Sequence, residues 1–213
     1  LIFGLPGETI ESFAEGFDRL YALGPHEIQF GVLKRLRGTP ITRHTTDFGM
    51  VYDPQTPYTI LQNSSVDFTA MQRIKRFARY WEMVANSGRF PRGLAVLLRD
   101  TADCPGSAFG HFLAFSDWLW QRTGKTHEFA LEKLVDLLHE HLTAVRLLEP
   151  QQVSAALLAD YLASGARGRP ACLAALLAGR SQAPSVPVAG NRLERQGRHL
   201  NQQRATELFP SAP

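Results

Sequence analysis

Two clusters near the amino terminus have residue types that could do chemistry. The first is Gly4-Leu5-Pro6-Gly7-Glu8, which joins an apolar stub, Leu1-Ile2-Phe3, to an amphipathic segment starting at Thr9. Glycines at a strand end let backbone approach a ligand closely, and the helix that follows offers unpaired N–H groups. The same residues also make an ordinary strand-to-helix turn, and a bare GxxG does not choose between the two. The second cluster is Lys34, Arg35 and Arg37 at the exit of a second apolar strand. Such cations can hold a carboxylate or phosphate of a substrate, or they form a solvated loop.

Other candidates carry less. Cys104, in Asp103-Cys104-Pro105-Gly106, precedes a helix start that would stabilise a thiolate, but no base is placed beside it and Asp103 opposes a lowered pKa. It reads as structural. Cys172 shares neither a CxxC nor any other metal spacing with it, so a disulfide scaffold and a complete iron–sulfur site within the chain are excluded. His139 and His141 stand two apart, and such residues on a helix do not share a face, so no metal site is expected there. Arg73, Arg76 and Arg79 align at three-residue steps, while Lys75 points away from that row. With Trp81 on the apolar stripe, only Tyr80 is left to stack on a base, and the row reads as a solvated face.

The elements that must position these residues follow from periodicity and punctuation. Thr9 is the expected N-cap of a helix in which Ile10, Phe13, Phe17, Leu20 and Tyr21 recur at helical spacing, with Glu11 at its positive end and Gly24-Pro25 as the stop. Glu27 to Lys34 reads as a strand with Ile28, Phe30 and Val32 on one face and Gln29, Gly31 and Leu33 on the other. Strand, helix and strand within about 35 residues make one βαβ unit with a parallel pair. In a barrel-like sheet, parity then turns Ile2 and Gly4 inward with Gln29 and Gly31. One such unit cannot cover both faces of its sheet, so it needs further strands or a partner.

Residues 34–66 are rich in turn formers and long for a connection. Beyond them, Asp67 or Thr69 caps a helix with a stripe of Met71, Ile74, Ala78, Trp81 and Ala85, ending near Ser87-Gly88. A second helix runs from about Ser107 to Gly124, and a third from about Thr126 stops at Pro150. Shorter helices are expected over 151–163 and 170–178. The expected fold class is an α/β stub followed by a mainly α-helical domain.

The run Leu1 to Glu8, the helix beginning Glu11-Ser12-Phe13, the strand Ile28 to Lys34 and the turn Arg37-Gly38-Thr39-Pro40 resemble the fifth strand, fifth helix and sixth strand of a radical SAM barrel. The nearer resemblance is to cobalamin-binding-domain radical SAM proteins with a helical C-terminal domain of unknown function. Its residues are Gly49-Met50-Val51-Tyr52, Met71 to Trp81, Asn86-Ser87-Gly88-Arg89-Phe90 and Arg195 to Leu200. The resemblance spans most of the chain, with specific motifs in 1–90 and weaker ones after 100. It implies domains at 1–45 (end of the barrel), 46–66 (connecting loop), 67–179 (helical accessory domain) and 180–213 (basic, partly disordered tail).

It also implies S-adenosylmethionine and an iron–sulfur cluster as cofactors, with cobalamin as a possible third. Reduced cluster cleaves S-adenosylmethionine, and the resulting radical abstracts hydrogen from substrate. The cofactor-binding positions carried over are Ile2 and Gly4 on the fifth strand and Val32 and Leu33 on the sixth; parity leaves only the backbone of Val32 for that role. Gln29, Lys34 and Arg37 are the expected substrate-binding residues. The family's CxxxCxxC loop, strand-two glycine motif and cobalamin domain are absent from this sequence. On this reading the chain is a fragment, inactive alone, whose partner is the missing N-terminal part of the same protein. The competing reading is a helical protein- or RNA-interaction module without catalysis.

The 213 residues carry a net charge of +3, and residues 180–213, with five arginines and two glutamates, account for all of it. The body is neutral, so nucleic acid is not an expected partner. No stretch approaches the roughly 18 apolar residues of a membrane span, and no signal-peptide pattern is present. No membrane partner is expected, and the expected location is cytoplasmic. The start at Leu1, inside an apolar run, is read as the result of processing or truncation.

Overall fold

The computed structural model describes residues 1–101 and 105–180. Among them, Leu1–Leu177 form one compact unit. Cys104 with Asp103, the Arg195 to Leu200 segment and nearly all of the basic tail lie outside the described residues.

The first three elements are strand β1 (Ile2–Phe3), helix α1 (Ile10–Ala22) and strand β2 (Gly31–Val32). β1 and β2 pair in parallel with Ile2 opposite Gly31 and Phe3 opposite Val32, completing the expected βαβ unit. Thr9 caps α1 as expected: its hydroxyl accepts the Ser12 N–H, and the Ser12 hydroxyl accepts the Thr9 N–H. The expected strand Glu27 to Lys34 is much shorter, because regular pairing lasts only as long as β1 beside it. Its parity survives. Ile28 is buried and Phe30 half-buried among Phe13, Phe17 and Phe77, while Gln29 and Gly31 are exposed.

Residues 34–66 are not the structureless connection expected. They hold a 3₁₀ turn (Pro40–His44) and a hairpin of β3 (Val51–Tyr52) and β4 (Ile60–Gln62). The hairpin docks on the exit of β2. Ile60 N–H donates to Leu33 O (2.9 Å), Arg35 N–H to Tyr58 O (3.0 Å), and Lys34 bridges to Thr59.

The remainder is helical: α2 (Phe68–Trp81) running into a π turn (Glu82–Asn86), α3 (Pro91–Leu98), α4 (Ala108–Thr123), α5 (Leu131–Glu140) with a second π turn (His141–Val145), α6 (Pro150–Ala163) and α7 (Ala174–Arg180). The fold is an α/β stub followed by a mainly helical domain. Asp67 is the cap of α2 and Ser107 of α4, and Gly124 ends α4 in the left-handed conformation. Two boundaries differ from expectation. The third long helix starts at Leu131 and not near Thr126, and Pro150 opens α6 at its first turn instead of ending the helix before it.

Helix α3 has no side-chain cap of its own. Its first N–H groups are taken by the buried Asp160 carboxylate of α6, at 3.0 Å from Arg92 N and 2.7 Å from Gly93 N. Gly93 permits this approach, since a Cβ there would lie 2.8 Å from Leu157 Cδ2. The core joins both parts of the fold through edge-to-face aromatic contacts, in which Phe17 meets Phe77, Trp81 and Phe109.

Candidate functional site

At the end of β1, Gly4 adopts φ +90° and is buried. Its N–H donates to Glu8 Oε2 (2.9 Å), as does the Leu5 N–H (3.4 Å). Burial raises the Glu8 carboxyl above the usual carboxylate range, opposed by these two bonds. Asn63, just after β4, donates to Leu5 O (3.4 Å) and so ties the hairpin to the turn. The space a Cβ would fill at Gly4 holds Ile60 Cγ2, 2.7 Å away, with Met71 Cε at 3.4 Å. The glycine thus lets β4 and α2 approach β1, and no open space faces it there.

Ile2, by contrast, points out of the sheet and is 53% exposed. Gly31 lies beside it, with the position of a Cβ 3.7 Å from Ile2 Cγ1. Together they form an uncovered apolar patch on the face opposite α1. Val32 and Leu33 are half-buried against the core. Leu33 has both main-chain groups engaged, its N–H with Phe3 O and its carbonyl with Ile60 N (both 2.9 Å). Alternation along a parallel ladder turns the Val32 main-chain groups to the opposite edge of β2.

The expected substrate residues separate. Gln29 is exposed two residues before β2, Lys34 sits in the bridge to Thr59, and Arg37 lines an open cleft of about 240 Å³ with Arg35, Leu36, Thr42 and Tyr58. Arg35 is anchored, its guanidinium 5.4 Å above the ring of the buried Tyr52. Burial raises the Tyr52 hydroxyl pKa, and Arg35 counters it. Residue spacing alone could not place Thr42 and Tyr58 in this cleft. Tyr58 is brought there by a left-handed turn (φ +56°) inside the hairpin loop.

Two of the four helical cations are engaged. Arg73 pairs with Asp117 (2.5 Å) and Arg76 lies 5.1 Å from the ring centroid of Trp120. Tyr80, expected to be free to stack, is fully buried and donates its hydroxyl to Lys125 O (2.7 Å). The reason is that α2 buries Phe77 and Tyr80 alongside Met71, Ile74 and Trp81. Lys75 and Arg79 line a second open cleft, of about 290 Å³, with Phe30, Ala78 and Glu82. Desolvation lowers the Lys75 pKa, opposed by Asp53.

The two histidines of 139–141 diverge. His139 Nε2 meets Ser154 Oγ (3.0 Å), whereas His141 is buried between Phe115 and Trp118, with its pKa lowered to about 4 by desolvation and then by Arg146. The thiol of Cys172 is pushed up to about 12 by burial and by Asp136. Among the described residues, no group of three or more His, Cys, Asp or Glu side chains could hold a metal ion, and no helix is long and apolar enough to cross a membrane.

Residues 46–185 match the model of a family described as "Protein of unknown function (DUF4080)", and the chain belongs to that family. The match begins just before the β3–β4 hairpin and takes in the helical part, leaving the βαβ unit outside it. No curated protein and no solved structure matches the chain.

Proposed function

We propose that this chain is the C-terminal part of a radical SAM enzyme, in which the βαβ unit closes a partial barrel and the DUF4080 region packs against it. The observation that carries the reading is the parallel β1–β2 pair. It has an uncovered apolar patch at Ile2 and Gly31, yet its other face is anchored in the helical core. A two-stranded sheet exposed in this way is completed by more strands of the same kind.

The anchoring is specific. The Asn86 side chain, at the end of the π turn, accepts from Ile28 N–H (3.3 Å) and donates to Ile28 O (3.1 Å), standing in for a neighbouring strand. Asp18 of α1 accepts from Phe109 N–H (2.8 Å) at the start of α4. Barrel end and helical domain therefore form one scaffold.

The residues present fit S-adenosylmethionine in part. Ile2, with Gly31 beside it, offers an apolar surface for the adenine, and the main-chain groups of Val32 point to the edge of β2 away from β1. Gly4 faces Ile60, so its role is to shape the turn that presents Ile2. The sequence has two cysteines and no CxxxCxxC, so in this proposal an iron–sulfur cluster is held by residues outside this chain. When bound beside a reduced cluster, S-adenosylmethionine supplies the radical that takes hydrogen from substrate. In this proposal Lys34 and Arg37, beyond the exit of β2, are the substrate-side residues, Gln29 at the other end of that strand is set apart from them, and cobalamin, a further cofactor, is assigned no residue here.

The test is the polypeptide encoded by the complete gene. It should contain CxxxCxxC and further βα units, show cluster absorbance after anaerobic reconstitution, and bind S-adenosylmethionine by calorimetry, with Ile2→Glu abolishing that binding. A complete gene without the cysteine motif would overturn the proposal.

A further inference from the structure

We infer that the cleft between the exit of β2 and the 3₁₀ turn is a binding site for the phosphate group of a small molecule, held by Arg35 and Arg37. This inference stands on the cleft alone and does not depend on the radical SAM reading.

The charge there is uncompensated. Among the described residues, Arg73, Arg92 and Arg122 lie within ion-pair distance of a carboxylate, and Lys34, Arg35, Arg37 and Arg43, like most of the other cations, do not; what sets these four apart is their closeness in one segment. Arg43 donates to His44 Nε2 (3.0 Å) instead. Of the carboxylates in the same segment, Asp53 accepts the Gln55 N–H (2.9 Å) and interacts with Lys75 on α2, and exposed Asp47 pairs with no cation. A run of like charges this close disfavours itself unless a counter-ion joins it.

Arg35 is also positioned, as an ordinary surface arginine is not. The Arg35 main chain is fixed by its bond to Tyr58 O, and its guanidinium rests on the buried Tyr52 ring. That contact removes part of the rotamer freedom an arginine loses on binding. Arg37 lines the same cleft, and so does Tyr58, whose phenol is a further donor type. Two guanidinium forks with Lys34 nearby match a dianionic phosphate better than a monocarboxylate, because a phosphate monoester carries about −1.5 to −2 at neutral pH and three acceptor oxygens. The open, shallow cleft suits a terminal phosphate with the rest of the molecule outside.

Inorganic phosphate titrated into the full chain at constant ionic strength, followed through the arginine Nε–Hε resonances, should give saturable shifts at Arg35 and Arg37. Arg35→Gln and Arg37→Gln should each weaken binding about tenfold, the loss of one charge-assisted pair. Arg122→Gln, on the helical surface, should leave it unchanged. Circular dichroism of each variant separates lost binding from lost folding, and Tyr58→Phe supplies a milder second probe with a smaller loss. Non-saturating shifts that chloride reproduces, acetate binding as tight as phosphate, or undiminished affinity in the folded double variant would overturn the inference.

Discussion

Replacing Gly4 by alanine imposes two penalties on one residue. The backbone sits at φ +90°, where an L side chain is strained by about 1–2 kcal/mol. The new Cβ would also stand 2.7 Å from Ile60 Cγ2, and neither Ile60 nor Met71 behind it can swing away, because both are fully buried. Overpacking of this kind costs about 1–3 kcal/mol, so the variant should lose about 2–5 kcal/mol in urea denaturation with little change in m. Ile60→Leu removes the Cγ2 branch while conserving volume, and alone it should cost under about 1.5 kcal/mol. In the double variant the overlap disappears and the strain stays, so the cycle should show about 1–3 kcal/mol of favourable coupling. Strictly additive effects would refute the assignment of that space to β4. A loss within about 0.5 kcal/mol for Gly4→Ala would refute both penalties.

Three further predictions concern the helical part. His141 has a folded pKa near 4 against 6.5 for the free side chain, so folding favours its neutral form. Its contribution is complete above about pH 6.5 and declines as pH falls, reaching a loss of about 3 kcal/mol at pH 4; His141→Phe should flatten that slope, and an unchanged slope contradicts the assignment. Asp160→Ala leaves the Arg92 and Gly93 N–H groups of α3 unpaired, the second of them buried, and should cost about 3 kcal/mol, with Asp160→Asn milder; equal stability by thermal unfolding would show that α3 does not need this cap. Cys172, with a thiol near 12, should react with a disulfide reagent at mildly alkaline pH at least about tenfold more slowly in the native protein than in denaturant. This is best measured in a Cys104→Ser background, and equal rates would show an accessible thiolate.

Several element starts were legible because their chemistry is local. Thr9, Asp67 and Ser107 each accept N–H groups only three residues on, and such pairs can be read without knowing the fold. Helix α3 was not legible, since the carboxylate that caps it comes from Asp160, on another helix and 67 residues beyond Gly93. The hairpin escaped for a related reason. Its strands are two and three residues long, with Pro54 and Pro57 between them, and its partner is the Lys34 to Arg35 exit of β2. Pro150 fits the end of one helix and the first turn of the next equally well, and only chain packing decides.

The candidate site divides along the same line. Parity along β1 and β2 placed Ile2 and Gly31 on one face before any packing was known, because alternation in a strand is a property of the backbone. That Gly4 faces Ile60, that Leu33 has no free main-chain group, and that Tyr58 lines the same cleft as Arg37 were settled by the docking of the hairpin, a contact between distant segments. What the sequence determined by itself was which residues carry charge, which turns need glycine and which faces are apolar, all set within a few residues. What only the tertiary structure decided was which of those groups remain free for a ligand. Occupancy of space and of hydrogen-bonding groups depends on every neighbour in the fold.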